Sequence, residues 1–89
     1  MDAHALQNAL NDLPTASAAH VAVYARSAVR AAASVFVQPM PADAPAAAHE
    51  LFAVLRALDA RGVQEIWVET PPTDSAWDGV RDRLQRAAA

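Results

Sequence analysis

The chain alternates between short apolar runs and longer segments in which apolar residues recur every three or four positions. Short runs rich in β-branched and aromatic residues are typical of strands. Three such runs are present, at residues 20–25 (HVAVYA), 34–39 (SVFVQP) and 65–70 (EIWVET). Because they contain few polar residues, they predict a sheet that is covered on both faces.

Helical periodicity lies around and between these runs. Residues 3–12 carry Leu6 and Leu10 one turn apart, and Pro14 predicts the end of this helix because a residue before proline disfavours helical geometry. Asp43 is suited to the N-cap of the next helix, and Gly62 to the position just beyond its end. Between them, five apolar side chains share the face expected to lie on the sheet: Ala47, Leu51, Val54, Leu55 and Leu58.

A last helix is predicted to begin at Thr73 or Asp74 and to continue to the end of the chain. It carries an apolar stripe formed by Trp77, Val80, Leu84, Ala87 and Ala88. Such a stripe is expected of a helix that lies on a sheet.

The alternation of strands and helices predicts right-handed crossovers and a parallel sheet. We expect one α/β domain over residues 1–89, a three-layer sandwich with a three-stranded sheet in the order 2-1-3. The connection at 26–33 is expected to form one or two turns of helix. The segment 15–19 (TASAA) is expected to be a loop.

Composition excludes several kinds of function. The formal net charge of −3 disfavours direct nucleic-acid binding, which usually requires a basic surface, and no apolar run approaches the length of a membrane span. The chain has no cysteine and no lysine, which excludes thiol chemistry, Schiff-base chemistry and a phosphate-loop lysine. The abundance of alanine and arginine is typical of a GC-rich bacterial genome.

Ligands of open parallel sheets bind beyond the carboxyl ends of the strands, where the strand order reverses. Here that crevice would lie between the first and third strands, with Arg26 and Ser27 facing Glu69 and Thr70. These four residues are candidates for a small anion or nucleotide site. The alternative is that Arg26 and Glu69 form a surface ion pair, which typically contributes less than about 1 kcal/mol.

Other chemistry is not indicated by the sequence. A dinucleotide site needs glycines directly after the first strand, but ARSAVRAAA follows Tyr24 there. The three histidines lack partners at ligand spacing, so we expect no metal site. Glu69 is the best single candidate for a catalytic acid, but no placed partner is evident. We therefore assign no catalytic residue and no cofactor to this chain.

Arg83 is a candidate for contact with another domain. On a helical wheel it lies beside the apolar stripe, about 60° from Val80, so its guanidinium can point sideways from the helix. Two interpretations remain open. Arg83 either pairs locally with an acid such as Glu69, or bridges to a neighbouring domain.

Residues 49–89 contain LRALDARG, IWVETPP, Trp77 and VRDRLQRAAA in a distinctive order and spacing. Together these elements resemble the C-terminal domain of the long, two-domain form of threonylcarbamoyl-AMP synthase. The resemblance extends more loosely to VAVYARS and to LQNALNDLP near the start of the chain.

This resemblance implies a Rossmann-like accessory unit that packs against a YrdC-type N-terminal catalytic domain. In the family, that catalytic domain binds ATP with magnesium, threonine and bicarbonate, and makes the precursor of threonylcarbamoyladenosine in tRNA. No position of this chain matches the catalytic residues, so the resemblance implies a domain excised from a larger cytoplasmic enzyme. Two hypotheses follow: a non-catalytic accessory or regulatory domain, or a small-ligand-binding α/β module that uses the crevice.

Overall fold

The computed structural model describes residues 1–88. In chain order, its elements are α1 (Ala3–Asp12), α2 (Thr15–Ala18), β1 (Val21–Ala25), β2 (Phe36–Pro39), α3 (Ala44–Ala60), β3 (Glu65–Val68), a 3₁₀ helix (Ser75–Trp77) and α4 (Asp78–Ala88). Within the described residues, none of the helices has the length and apolar character needed to cross a bilayer.

The three strands form one parallel sheet in the order β2-β1-β3. This confirms the predicted α/β class and the predicted strand order. In the register, Val23 of β1 lies opposite Val37 of β2 and Trp67 of β3. All five residues of the central strand β1 are buried, as expected for a strand with neighbours on both edges and helices on both faces.

Two hydrophobic clusters lie on the two faces of the sheet. One face is covered by α3 and α4, with Leu51, Leu58 and Val80 almost fully buried. The opposite face is covered by α1 and α2, through Leu6 and Leu10 of α1 and Ala18 of α2. The predicted three-layer arrangement is therefore present.

The α3 helix has the predicted ends. The Asp43 carboxylate accepts the Ala46 N–H at 3.0 Å, and Gly62 has a φ of 81°, a left-handed conformation that favours glycine after a helix. Leu51 and Leu58 face the sheet as expected. Leu55 shares their face but is only half-buried, because it lies at the margin of the helix contact.

Two connections differ from the prediction. Residues 26–33 form no helix. Glu69 accepts the N–H groups of Arg26 and Ser27, and the Gln7 amide bonds both the N–H and the carbonyl of Arg30, which a helix would use in its own hydrogen bonds. The segment 15–19, expected to be a loop, contains the short helix α2, whose N-cap is Pro14.

The last helical segment begins at Asp74, as predicted, but its first turn is a 3₁₀ helix rather than an α-helix. Asp74 precedes a 3₁₀ turn, and α4 begins at Asp78. Trp77 and Val80 of the predicted apolar stripe are buried, Leu84 is half-buried and Ala87 is exposed. The side chain of Ala88 lies outside the described residues.

Candidate functional site at the carboxyl ends of the strands

The carboxyl ends of β1 and β3 meet at one edge of the sheet, because the two strands are parallel neighbours. Arg26 and Ser27 follow β1 directly, and Glu69 and Thr70 follow β3. The structure brings these four predicted residues together in one bonded group. We refer to them below as the crevice residues.

The Glu69 carboxylate is the centre of this group. Its Oε1 accepts the N–H of Arg26 at 2.9 Å and that of Ser27 at 2.8 Å. Its Oε2 accepts the Ser27 hydroxyl at 2.9 Å and lies 3.3 Å from Arg26 Nη2. Glu69 is only 4% exposed. The alternative of a simple surface ion pair therefore does not describe this contact.

The environment of Glu69 favours its ionised form. Burial by itself raises the pKa of the carboxyl. The two hydrogen bonds from Ser27, the positive charge of Arg26 and the Arg26 N–H act in the opposite direction and together hold the pKa below its usual value. At neutral pH Glu69 is therefore a carboxylate engaged as an acceptor, rather than a proton donor for general acid catalysis.

Arg26 links three parts of the fold. Its Nη2 donates to the Thr70 carbonyl at 2.9 Å, and its guanidinium lies 5.5 Å from the centroid of the Trp77 ring. The Arg26 side chain thus joins the end of β1 to the exit of β3 and to the start of the last helical segment. Its Nε is buried, and it has no hydrogen-bond partner among residues 1–88.

The crevice has the hydrogen-bond donors of an anion-binding site, but the anion that they bind is the carboxylate of Glu69, a residue of the chain itself. Two adjacent backbone N–H groups, a hydroxyl and a guanidinium are a set that binds phosphate or carboxylate groups in other proteins. Here Glu69 occupies all four. An external anion would have to displace a carboxylate that is already bonded to Arg26 and Ser27.

Arg83, the candidate for an interdomain contact, folds back along its own helix. Its Nη1 lies 2.9 Å from the position that a Cβ on Gly79 would take. Glu69, the local partner considered above, is bonded to Arg26 and Ser27 instead. Among residues 1–88, the Arg83 guanidinium forms no ion pair.

A second buried polar contact was not anticipated from the sequence. The Tyr24 hydroxyl donates to Glu50 Oε1 at 2.6 Å. Burial, this hydrogen bond and the Glu50 charge all raise the pKa of Tyr24. A tyrosine inside an apolar strand signals the need for a polar partner, since a buried hydroxyl usually has one. The sequence does not show which residue that partner is.

Within residues 1–88, no three His, Cys, Asp or Glu side chains form a group that would hold a metal ion. The three histidines are exposed.

Trp77 is buried in the core beneath α3 and α4, and Trp67 packs in the cluster on the opposite face. Both tryptophans therefore serve in packing.

Comparison with known proteins identifies the family. No curated protein and no solved structure matches the chain significantly. Residues 2–89, however, match the family described as the C-terminal domain of threonylcarbamoyl-AMP synthase. This match covers almost the whole chain and agrees with the resemblance carried by IWVETPP and VRDRLQRAAA. The chain therefore belongs to the family of threonylcarbamoyl-AMP synthase C-terminal domains.

Proposed function

We propose that this chain is the non-catalytic accessory domain of an L-threonylcarbamoyladenylate synthase, acting in the cytoplasm in tRNA threonylcarbamoyladenosine modification. Its partner is an N-terminal YrdC-type catalytic domain in the same parent polypeptide, where ATP, magnesium, threonine and bicarbonate bind. The family match over residues 2–89 carries this proposal.

The geometry of the crevice supports a role without catalysis. A nucleotide-binding domain presents free backbone N–H groups to phosphate. Here the N–H groups of Arg26 and Ser27 are held by Glu69, so the crevice residues connect strands. The domain then acts through its surface, by contact with the catalytic domain.

The alternative function is a small-ligand or nucleotide-binding module that uses the crevice. One observation favours it: Arg26 Nε is buried and has no partner among the described residues. A ligand oxygen at that nitrogen would satisfy it. Against this alternative, the N–H groups of Arg26 and Ser27 and the Ser27 hydroxyl already donate to Glu69 and are not free to bind a ligand.

The proposal predicts no adenylate formation by the chain alone. Pyrophosphate release would be measured with ATP, threonine, bicarbonate and magnesium, first with the isolated chain and then with the two-domain synthase. We expect release only from the two-domain enzyme. Release by the isolated chain that is abolished by a substitution within residues 1–89 would contradict the proposal.

Arg83 is the candidate residue for contact with the catalytic domain. We expect Arg83→Ala to cost the isolated domain less than about 1 kcal/mol, because the half-buried Arg83 side chain forms no ion pair among residues 1–88, and to lower activity of the two-domain synthase several-fold. Arg86→Ala is the matched control, since Arg86 is exposed on the same helix and pairs with Asp82 at 3.1 Å. Equal activity of the two variants would exclude the interdomain role.

A further inference from the structure

Gly79 is a glycine that its own backbone does not require. The chain has two glycines, and only Gly62 has the left-handed φ that favours this residue. Gly79 lies in the first turn of α4, in a conformation that every L-residue can adopt. Apart from proline, glycine is the residue that least favours a helix. Its presence in α4 therefore needs another reason.

The space above Gly79 supplies that reason. A Cβ at this position would lie 2.9 Å from Arg83 Nη1, which is closer than unbonded carbon and nitrogen atoms ordinarily approach. Arg83 lies about one turn further along α4, and its half-buried side chain reaches back over the bare backbone of Gly79. Glycine leaves room for the guanidinium in this position, and alanine would not.

The acids of α4 are bonded to other arginines. Asp78 pairs with Arg81, and Asp82 pairs with Arg86. The helix dipole does not favour a cation over the first turn either, because that end of a helix carries partial positive charge. The position of Arg83 therefore follows from the space over the glycine rather than from attraction to an acid of its own helix.

A half-buried guanidinium that forms no ion pair within residues 1–88 is suited to bind an anion from outside the domain. The planar fork of arginine donates two parallel hydrogen bonds to a carboxylate. The Arg83 side chain already lies against its own helix, so binding would cost it less side-chain freedom than it costs a fully extended arginine. The geometry therefore favours a partner surface that carries an acidic residue.

We propose that Gly79 is a positioning residue, which holds the Arg83 guanidinium in place to bind an aspartate or glutamate of the catalytic domain. The identity of this partner rests on the proposed function, in which both domains belong to one polypeptide. The contact between Gly79 and Arg83 does not rest on it, since both residues lie in this chain.

Gly79→Ala separates the position of Arg83 from the stability of the domain. The added methyl group displaces only the end of a flexible side chain, and alanine favours a helix more than glycine does. The midpoint of urea unfolding should therefore be unchanged or higher. A lower midpoint would show that the methyl group meets more than a mobile side chain and would overturn the proposal.

The mobility of the guanidinium is measured on the isolated chain by NMR. In Gly79→Ala, the heteronuclear NOE of the Arg83 Nε–H group should fall, because the side chain loses its place over residue 79. The Arg81 Nε–H group is the matched control, since the Arg81 side chain donates to the carbonyls of Pro72 and Asp74 and should remain ordered. An Arg83 NOE that the substitution leaves unchanged would reject the positioning role of Gly79.

Activity of the two-domain synthase tests whether Gly79 acts through Arg83. Gly79→Ala and Arg83→Ala should each lower pyrophosphate release several-fold, and the double variant should lose no more than Arg83→Ala alone. Arg86→Ala again serves as the control. Additive losses, or a loss with Arg83→Ala but none with Gly79→Ala, would contradict the proposal.

Arg83→Glu tests the charge of the partner. An acid facing Arg83 would be repelled by the new carboxylate, so activity should fall at least about threefold below that of Arg83→Ala. Equal activity of Arg83→Glu and Arg83→Ala would mean that the partner group is not an acid, and the proposal would fail.

This proposal and the proposed function can fail separately. If the native two-domain synthase releases pyrophosphate and no Arg83 variant lowers that release, the contact with the catalytic domain is rejected and the proposed function stands. If the native two-domain chain releases none, the proposed function and the partner assigned to Arg83 are both rejected. The NOE of Arg83 then decides its contact with Gly79 by itself.

Discussion

Replacing Glu69 with alanine is expected to destabilise the domain by about 2–3 kcal/mol, because a buried carboxylate that accepts several hydrogen bonds is lost and its donors are left unsatisfied. The N–H groups of Arg26 and Ser27 and the Ser27 hydroxyl all lose their acceptor. Glu65→Ala is the matched control, since Glu65 is exposed at the start of β3, the strand that Glu69 follows. It should change the free energy of unfolding by less than about 0.5 kcal/mol.

The Glu69 contribution should also depend on pH. The folded-state pKa of Glu69 is lowered, so the unfolded chain takes up the proton first as the pH falls below the ordinary glutamate value of about 4.3. The stabilisation is therefore complete above that pH and is lost as the pH falls through the folded-state pKa. In urea unfolding, the difference between the native chain and Glu69→Gln should be largest at neutral pH and should shrink in acid. An equal difference at pH 7 and at about pH 3 would contradict this role.

Leu51→Ala should have the largest effect of any single truncation considered, about 3–5 kcal/mol, because it leaves a cavity in a closely packed core. Leu51 is fully buried on α3 against the sheet, whereas its neighbour Phe52 is 43% exposed. Phe52→Ala should therefore cost less than about 1 kcal/mol.

Urea unfolding of the two α3 variants compares the two faces of the helix directly. The expected order is a much larger loss for Leu51→Ala than for Phe52→Ala. Comparable losses would mean that α3 does not bury the face assigned to it.

The sequence predicts the strands and their order because those features follow from local periodicity. The runs around Val23, Val37 and Trp67 are mostly apolar, and a helical segment separates the second from the third. A parallel sheet then places residues that follow neighbouring strands at one edge, which is why the contact between Arg26 and Glu69 was predictable.

The burial of Glu69 and the conformation of residues 26–33 were not predictable in the same way. An alanine-rich segment such as 26–33 favours helix by propensity, but Gln7, distant in sequence, bonds the N–H and the carbonyl of Arg30 that a helix would use. The contact of Tyr24 with Glu50 and that of Met1 with β3 likewise join residues far apart in sequence. No local pattern identifies such partners.

The environment of Arg83 was predictable from the sequence only in part. Helical geometry places the residue beside the apolar stripe, and the structure agrees that its side chain is half-buried. The sequence does not reveal that Glu69 would already be bonded elsewhere. That observation, rather than the helical wheel, keeps Arg83 a candidate for contact beyond the domain.

The most direct test of the account is an NMR titration of the isolated chain with ATP, AMP, threonine and magnesium. If Glu69 closes the crevice and the domain is a non-catalytic accessory unit, the amides of Arg26, Ser27, Glu69 and Thr70 should show no saturable shift with any of these compounds. Saturable shifts clustered on those four residues would show that the crevice binds a ligand and would contradict the account.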